Sequence, residues 1–73
     1  MSNRRDWKTL TLIEVDIIKS MAENDLKIAN TAKAMQYNRN TIDYHLDAIQ
    51  KTTGLNPRTF YGLQALLQRF ESM

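Results

Sequence analysis

The sequence contains no cysteine, and its 73 residues include only two glycines, one proline, one histidine and one tryptophan. Without cysteine, neither a disulfide framework nor a thiolate metal site can reinforce the core, and an intracellular setting is expected. The lone histidine, His45, has no thiol or second imidazole with which to form a metal site. No apolar run approaches the roughly 20 residues of a membrane span. The opening MSNRRDWK lacks the apolar segment of a secretory signal. A soluble, cytoplasmic chain without membrane contact follows as the expectation. No stretch alternates with period two, no repeat or low-complexity segment occurs, and there is neither a glycine-rich phosphate loop nor a nucleophile constellation. These absences argue against an enzyme and leave no cofactor, metal or small-molecule ligand to expect.

What is present is an uneven distribution of charge. The formal net charge is +2, yet residues 1–26 hold four basic and five acidic side chains, whereas residues 27–70 hold six basic and only two acidic ones, Asp43 and Asp47. A positive C-terminal portion is the footprint of a phosphate-binding surface, although solvated surface charge produces the same pattern. A chain of this length forms one domain that buries only roughly 60% of its unfolded surface.

Residues 1–9 show no periodicity and read as a flexible basic arm, in which Arg4 and Arg5 suit a phosphate backbone and Trp7 is the one group to be tied down. Residues 10–73 form the domain. Thr11-Leu12-Ile13-Glu14 has the form of a capping box, and Ile13, Ile17, Ile18 and Met21 then share a stripe at helical spacing until Asn24-Asp25 interrupts it. A second helix carries the small residues Ala29, Ala32 and Ala34, which permit close crossing by a neighbour. Gln36-Tyr37-Asn38 is a turn, with Asn38 as the N-cap of a third helix. Gly54 supplies a left-handed stop, and Asn56-Pro57 restarts a fourth helix with proline in its first turn. That helix is expected to bury Phe60, Leu63 and Leu67, with Leu66 and Phe70 either completing the core or facing a partner. The spacing thus predicts an all-α fold of four helices, about 11–23, 28–35, 39–52 and 57–71.

At 100° per residue, Leu46 and Ile49 fall within about 40° of Ile42 on the third helix and define its buried stripe. Asn40, Tyr44, Asp47 and Lys51 lie opposite. Arg39 and Asp43 flank that face on one side and Thr41, His45 and Ala48 on the other. Two helices joined by a three-residue turn, with a small residue in the first and branched anchors in the second, describe a helix-turn-helix. Gln36 occupies a turn position where glycine is frequent, so this turn must be accommodated differently.

The run Arg39-Asn40-Thr41-Ile42, then Tyr44, Leu46 and Ile49, then Thr53-Gly54-Leu55-Asn56-Pro57-Arg58, preceded by Thr31-Ala32-Lys33-Ala34, resembles the C-terminal helix-turn-helix of PucR/CdaR-type bacterial transcription regulators. Leu10-Thr11, Glu14, Ala32, Thr41-Ile42, His45-Leu46, Ile49, Gly54-Leu55 and Arg58 are also similar to the four-helix LuxR/GerE DNA-binding domain, although Thr31 stands where that family usually has isoleucine. Both resemblances imply a sequence-specific DNA-binding transcriptional regulator, or the DNA-binding domain of one, with double-stranded DNA as its partner.

On that reading the third helix reads the major groove through Arg39, Asn40, Asp43, Tyr44 and Asp47, while Thr41 bonds a phosphate oxygen. Lys27, Lys33, Lys51 and Arg58 grip phosphates. A homodimer is expected, paired through Leu66 and Phe70, because LuxR-type domains associate through that helix. Asp43 and Asp47 offset Arg39 and Lys51, so the third helix is formally neutral. Such a face also suits the alternative, a helical protein-interaction module that keeps the fold without strong DNA binding.

Overall fold

The computed structural model describes the backbone of residues 10–72 and the side chains of residues 10–69. The expectations for Arg4, Arg5, Trp7 and the Phe70 side chain lie outside the described residues. The four helices are α1 (Leu12–Glu23), α2 (Ile28–Met35), α3 (Arg39–Thr53) and α4 (Phe60–Ser72), and no strand occurs among the described residues.

The start of α1 is fixed by the expected capping box. Thr11 Oγ1 accepts from the Glu14 amide at 3.3 Å, and Glu14 Oε1 accepts from the Thr11 amide at 3.0 Å. Two of the amides that a helix start leaves orphaned are thereby satisfied, and Glu14 is buried in the process. The helix ends in a six-residue loop closure in which the Leu26 amide donates to Met21 O at 2.9 Å. Asp25 and Leu26 both take left-handed backbone angles there, φ 56° and 65°.

The helix-turn-helix turn is made by the same device. The Tyr37 amide donates to Ala32 O at 2.8 Å and Gln36 sits left-handed at φ 62°, so the position that glycine often fills is accommodated by strain in a glutamine. An L-residue in this region costs about 1–2 kcal/mol, part of which is offset because glycine also gains freedom in the unfolded chain. Gln36→Gly is accordingly expected to stabilise the domain by about 1 kcal/mol in urea denaturation. An unchanged or lower midpoint would show that the Gln36 side chain compensates for its own backbone.

The core is shared by all four helices: Ile17, Ile18 and Met21 from α1, Ala32 from α2, Ile42, Leu46 and Ile49 from α3, and Leu63 and Leu66 from α4. α1 packs on each of the other three, while α2 packs on α3. Of the three alanines expected at the α2 crossing, only Ala32 is buried; Ala29 and Ala34 face solvent. Thr31 is also fully buried, with its hydroxyl donating to Lys27 O at 2.9 Å and lying 3.4 Å from Met21 Sδ.

The fourth helix departs from expectation in two ways, and it settles the open placement of Leu66. It begins at Phe60 rather than Pro57, because Asn56-Pro57 opens a turn closed by the Thr59 amide on Asn56 O at 3.2 Å. Thr59 then caps the helix, accepting from the Gly62 amide through Oγ1 at 3.0 Å. Phe60, expected in the core, is 70% exposed. Leu66, a candidate dimer contact, is fully buried within the monomer and is therefore core. One cause explains the last two. Gly62 is buried against the Asn56 turn, which rotates that side of α4 inward; Phe60, two residues and about 160° away, is turned to solvent.

Candidate nucleic-acid interface

The helix-turn-helix is α2 and α3 with the Gln36 turn between them. α3 is held from beneath by Ile42, Leu46 and Ile49, each fully buried. Burial of three such side chains stabilises the helix by about 2 kcal/mol apiece. Its N-terminus is capped by Asn38 Oδ1, which accepts from the Asn40 amide at 2.7 Å. Its C-terminus stops at Gly54, left-handed at φ 79°. Just before it, the buried Thr53 hydroxyl donates to Ile49 O at 2.8 Å and accepts from the Leu55 amide at 3.1 Å. Both ends and the underside of α3 are thus fixed, and only its outward side is free.

On that side the structure places Arg39, Asn40, Tyr44, Asp47 and Lys51 in solvent, with Thr41 and Asp43 half-buried at its margins. Tyr44 is 70% exposed, and its ring meets the half-buried His45 edge-on at 5.4 Å. Lys27 and Lys33 are exposed on α2. Along with Arg39 and Lys51 they enter no ion pair among the described residues. Lys27 is also the N-cap residue of α2, and its side chain makes no capping bond to the first-turn amides.

Arg58 behaves differently from the other cations expected to grip phosphates. Its guanidinium reaches from the α3–α4 turn onto α3 and forks between two carboxylates one helical turn apart. Nη2 donates to Asp43 Oδ1 at 3.3 Å and to the Asp43 carbonyl at 3.2 Å, while Nη1 lies 3.0 Å from Asp47 Oδ1. The expected set of ten α2, α3 and Arg58 contacts therefore divides into seven side chains open to a ligand and three bound to one another. Sequence reasoning missed this union. The signal available was the spacing of the two aspartates at i and i+4, which aligns them on one helix edge.

An apolar groove of about 270 Å³ lies between the end of α1 and the start of α4, lined by Met21, Leu26, Phe60, Leu63 and Leu67 among others. No group of His, Cys, Asp or Glu that could hold a metal ion occurs among the described residues. No helix among them is long and apolar enough to cross a membrane.

No curated protein and no solved structure matches the chain significantly. The family model of the PucR C-terminal helix-turn-helix domain matches residues 15–70, a span running from α1 through most of α4 and including the whole α2–α3 unit. The match covers more than half of the chain and agrees with its all-helical fold, and the chain belongs to the PucR C-terminal helix-turn-helix family.

Proposed function

We propose that this chain is a bacterial, cytoplasmic transcriptional regulator, or the DNA-binding domain of one, in which α3 reads the major groove of double-stranded DNA. The observation that best supports this is the outward side of α3: Arg39, Asn40, Tyr44 and Lys51 project from a helix anchored on every other side. Asn40 suits adenine, which offers an acceptor and a donor to a bidentate amide, and Arg39 suits guanine or a phosphate. Thr41 and Tyr44 hydroxyls suit phosphate or sugar. Lys27, Lys33 and the N-terminal amides of α2, which no side chain caps, contact the backbone on the flank, as helix N-termini do. The basic arm, residues 1–9, would add to that grip.

Binding by one subunit is expected to be weak in physiological salt, and a homodimer would double the phosphate contacts. With Leu66 in the core, the apolar groups of α4 available to a second subunit among the described residues are Phe60, Tyr61 and Leu67, beside the proposed contact Phe70.

A titration against random duplexes at low and high salt tests the reading; absence of binding at low salt, or binding indifferent to salt, would overturn it. Removing Lys27, Lys33 or Lys51 is expected to weaken binding to all sequences alike and to reduce the salt slope by about 0.9 each. Asn40→Ala and Tyr44→Ala should instead flatten sequence preference, at a cost of about 1–3 kcal/mol for the preferred site. Preference that survives both changes assigns the wrong reading face.

A second reading, a protein-interaction module, is favoured by Phe60 and Tyr61, which are 70% and 76% exposed beside the apolar groove. It predicts that these aromatics, and not α3, govern association.

A further inference from the structure

We propose that Arg58 is a positioning residue for DNA binding: by forking between Asp43 and Asp47 it holds both carboxylates on the flank of α3 and offsets their charge where the helix approaches phosphates. The inference rests on the DNA-binding reading above and deepens it. Without Arg58, the two aspartates contribute a charge of −2 to one edge of the recognition helix; with it, the cluster carries −1. Their other neighbours on α3 do not perform this task, because Arg39 and Lys51 enter no ion pair among the described residues. Arg58 is itself held in place. Its own amide donates to Asn56 Oδ1 at 3.0 Å, and the turn that carries it rests on Gly62.

The contact has a consequence for recognition. A guanidinium engaged with two carboxylates and a carbonyl is not free to clamp a phosphate, so Arg58 contributes to affinity through the acids it neutralises. Asp43 and Asp47 in turn repel the duplex less, which leaves Arg39, Asn40, Tyr44 and Lys51 as the groups of α3 that meet it. This resolves how a helix of neutral composition serves a phosphate-rich partner.

The test is a charge ladder measured by fluorescence anisotropy on a labelled random-sequence duplex at about 50 mM and about 200 mM salt. The full chain is compared with R58M, D43N/D47N and the triple variant R58M/D43N/D47N, with circular dichroism confirming the fold of each. The expected order of affinity follows the charge of the cluster. D43N/D47N binds tightest, about tenfold above the parent chain with a salt slope steeper by about 0.9, because Arg58 becomes available to a phosphate. The triple variant binds at least as well as the parent, and R58M binds about tenfold more weakly.

A purely architectural role for Arg58 gives a different pattern, in which the triple variant and D43N/D47N are both weakened along with R58M; that pattern overturns the inference while leaving DNA binding intact. Should R58M fail to fold, D43N/D47N alone decides, since it retains the arginine: binding no tighter than the parent overturns the inference. If the parent chain binds no duplex at low salt, the DNA-binding reading itself fails and this inference falls with it.

Discussion

Gly62→Ala is expected to lower the melting temperature of the domain by about 10 °C, although the same change in an exposed helix is stabilising. Helix propensity favours alanine over glycine by about 1 kcal/mol. Here, however, a Cβ on residue 62 would lie 2.0 Å from Asn56 O, 2.7 Å from Asn56 C and 2.9 Å from Thr59 Oγ1. The first two of these atoms are backbone, so relief requires the whole Asn56–Thr59 turn to move off α4. Overpacking of this kind costs about 3 kcal/mol, which outweighs the propensity gain and leaves a net loss of about 2 kcal/mol. The turn also carries Arg58, so the fork onto Asp43 and Asp47 is expected to break with it. Thermal denaturation of the single variant checks the prediction, and an unchanged or raised midpoint would mean that the turn has room to give.

Leu46→Ala is expected to be still more damaging, at about 3–4 kcal/mol. The side chain is fully buried at the centre of the α3 stripe, between Ile42 and Ile49 on their own helix and the α1 residues of the same core. Truncation removes the transfer energy of the lost carbons and opens a cavity that three other helices would have to collapse to fill. A domain of this size has a total stability of about 4–11 kcal/mol, so the variant approaches the unfolding threshold. Urea denaturation at constant temperature measures it. A loss below about 1 kcal/mol would indicate that the neighbours repack around the site, as the most adaptable cores do.

The parts of the fold visible in the sequence are those decided within a few residues. Thr11 and Glu14, Asn38, and Gly54 act on amides and carbonyls two to four positions away, and each bounds its helix where its chemistry indicates. The α3 stripe was legible for the same reason, since three branched residues at helical spacing need only one another to define a face. Asn56-Pro57 pointed to a helix start, but the pair that starts a helix also starts a turn, and the choice is made by Thr59 and Gly62 further on. The orientation of α4 was legible only in part: Leu63 is in the core as expected, whereas Phe60 is not. The apolar arc of α4 is wider than one helix side, so the buried portion was set by which backbone Gly62 admits, a tertiary matter.

The candidate site divides along the same line. That Asn40, Tyr44 and Lys51 face outward follows from angles on one helix. That Arg58 spends its guanidinium on Asp43 and Asp47 depends on a turn bringing residue 58 back over residues 15 and 11 positions earlier, and no local pattern encodes that distance.

The central position of α1 bears on how the domain opens. Because α1 packs on α2, α3 and α4 while α4 finds its main contact in α1, the helices do not share equally in holding one another. An excursion that frees α4 leaves the α1–α2–α3 assembly intact, whereas one that frees α1 leaves only the α2–α3 pair. Cooperative openings are therefore ordered, with the amides of α4 the first to exchange with solvent and those of α1 among the last. α3 belongs to the part expected to stay protected, so it is expected to keep its shape through fluctuations that transiently release the C-terminal helix.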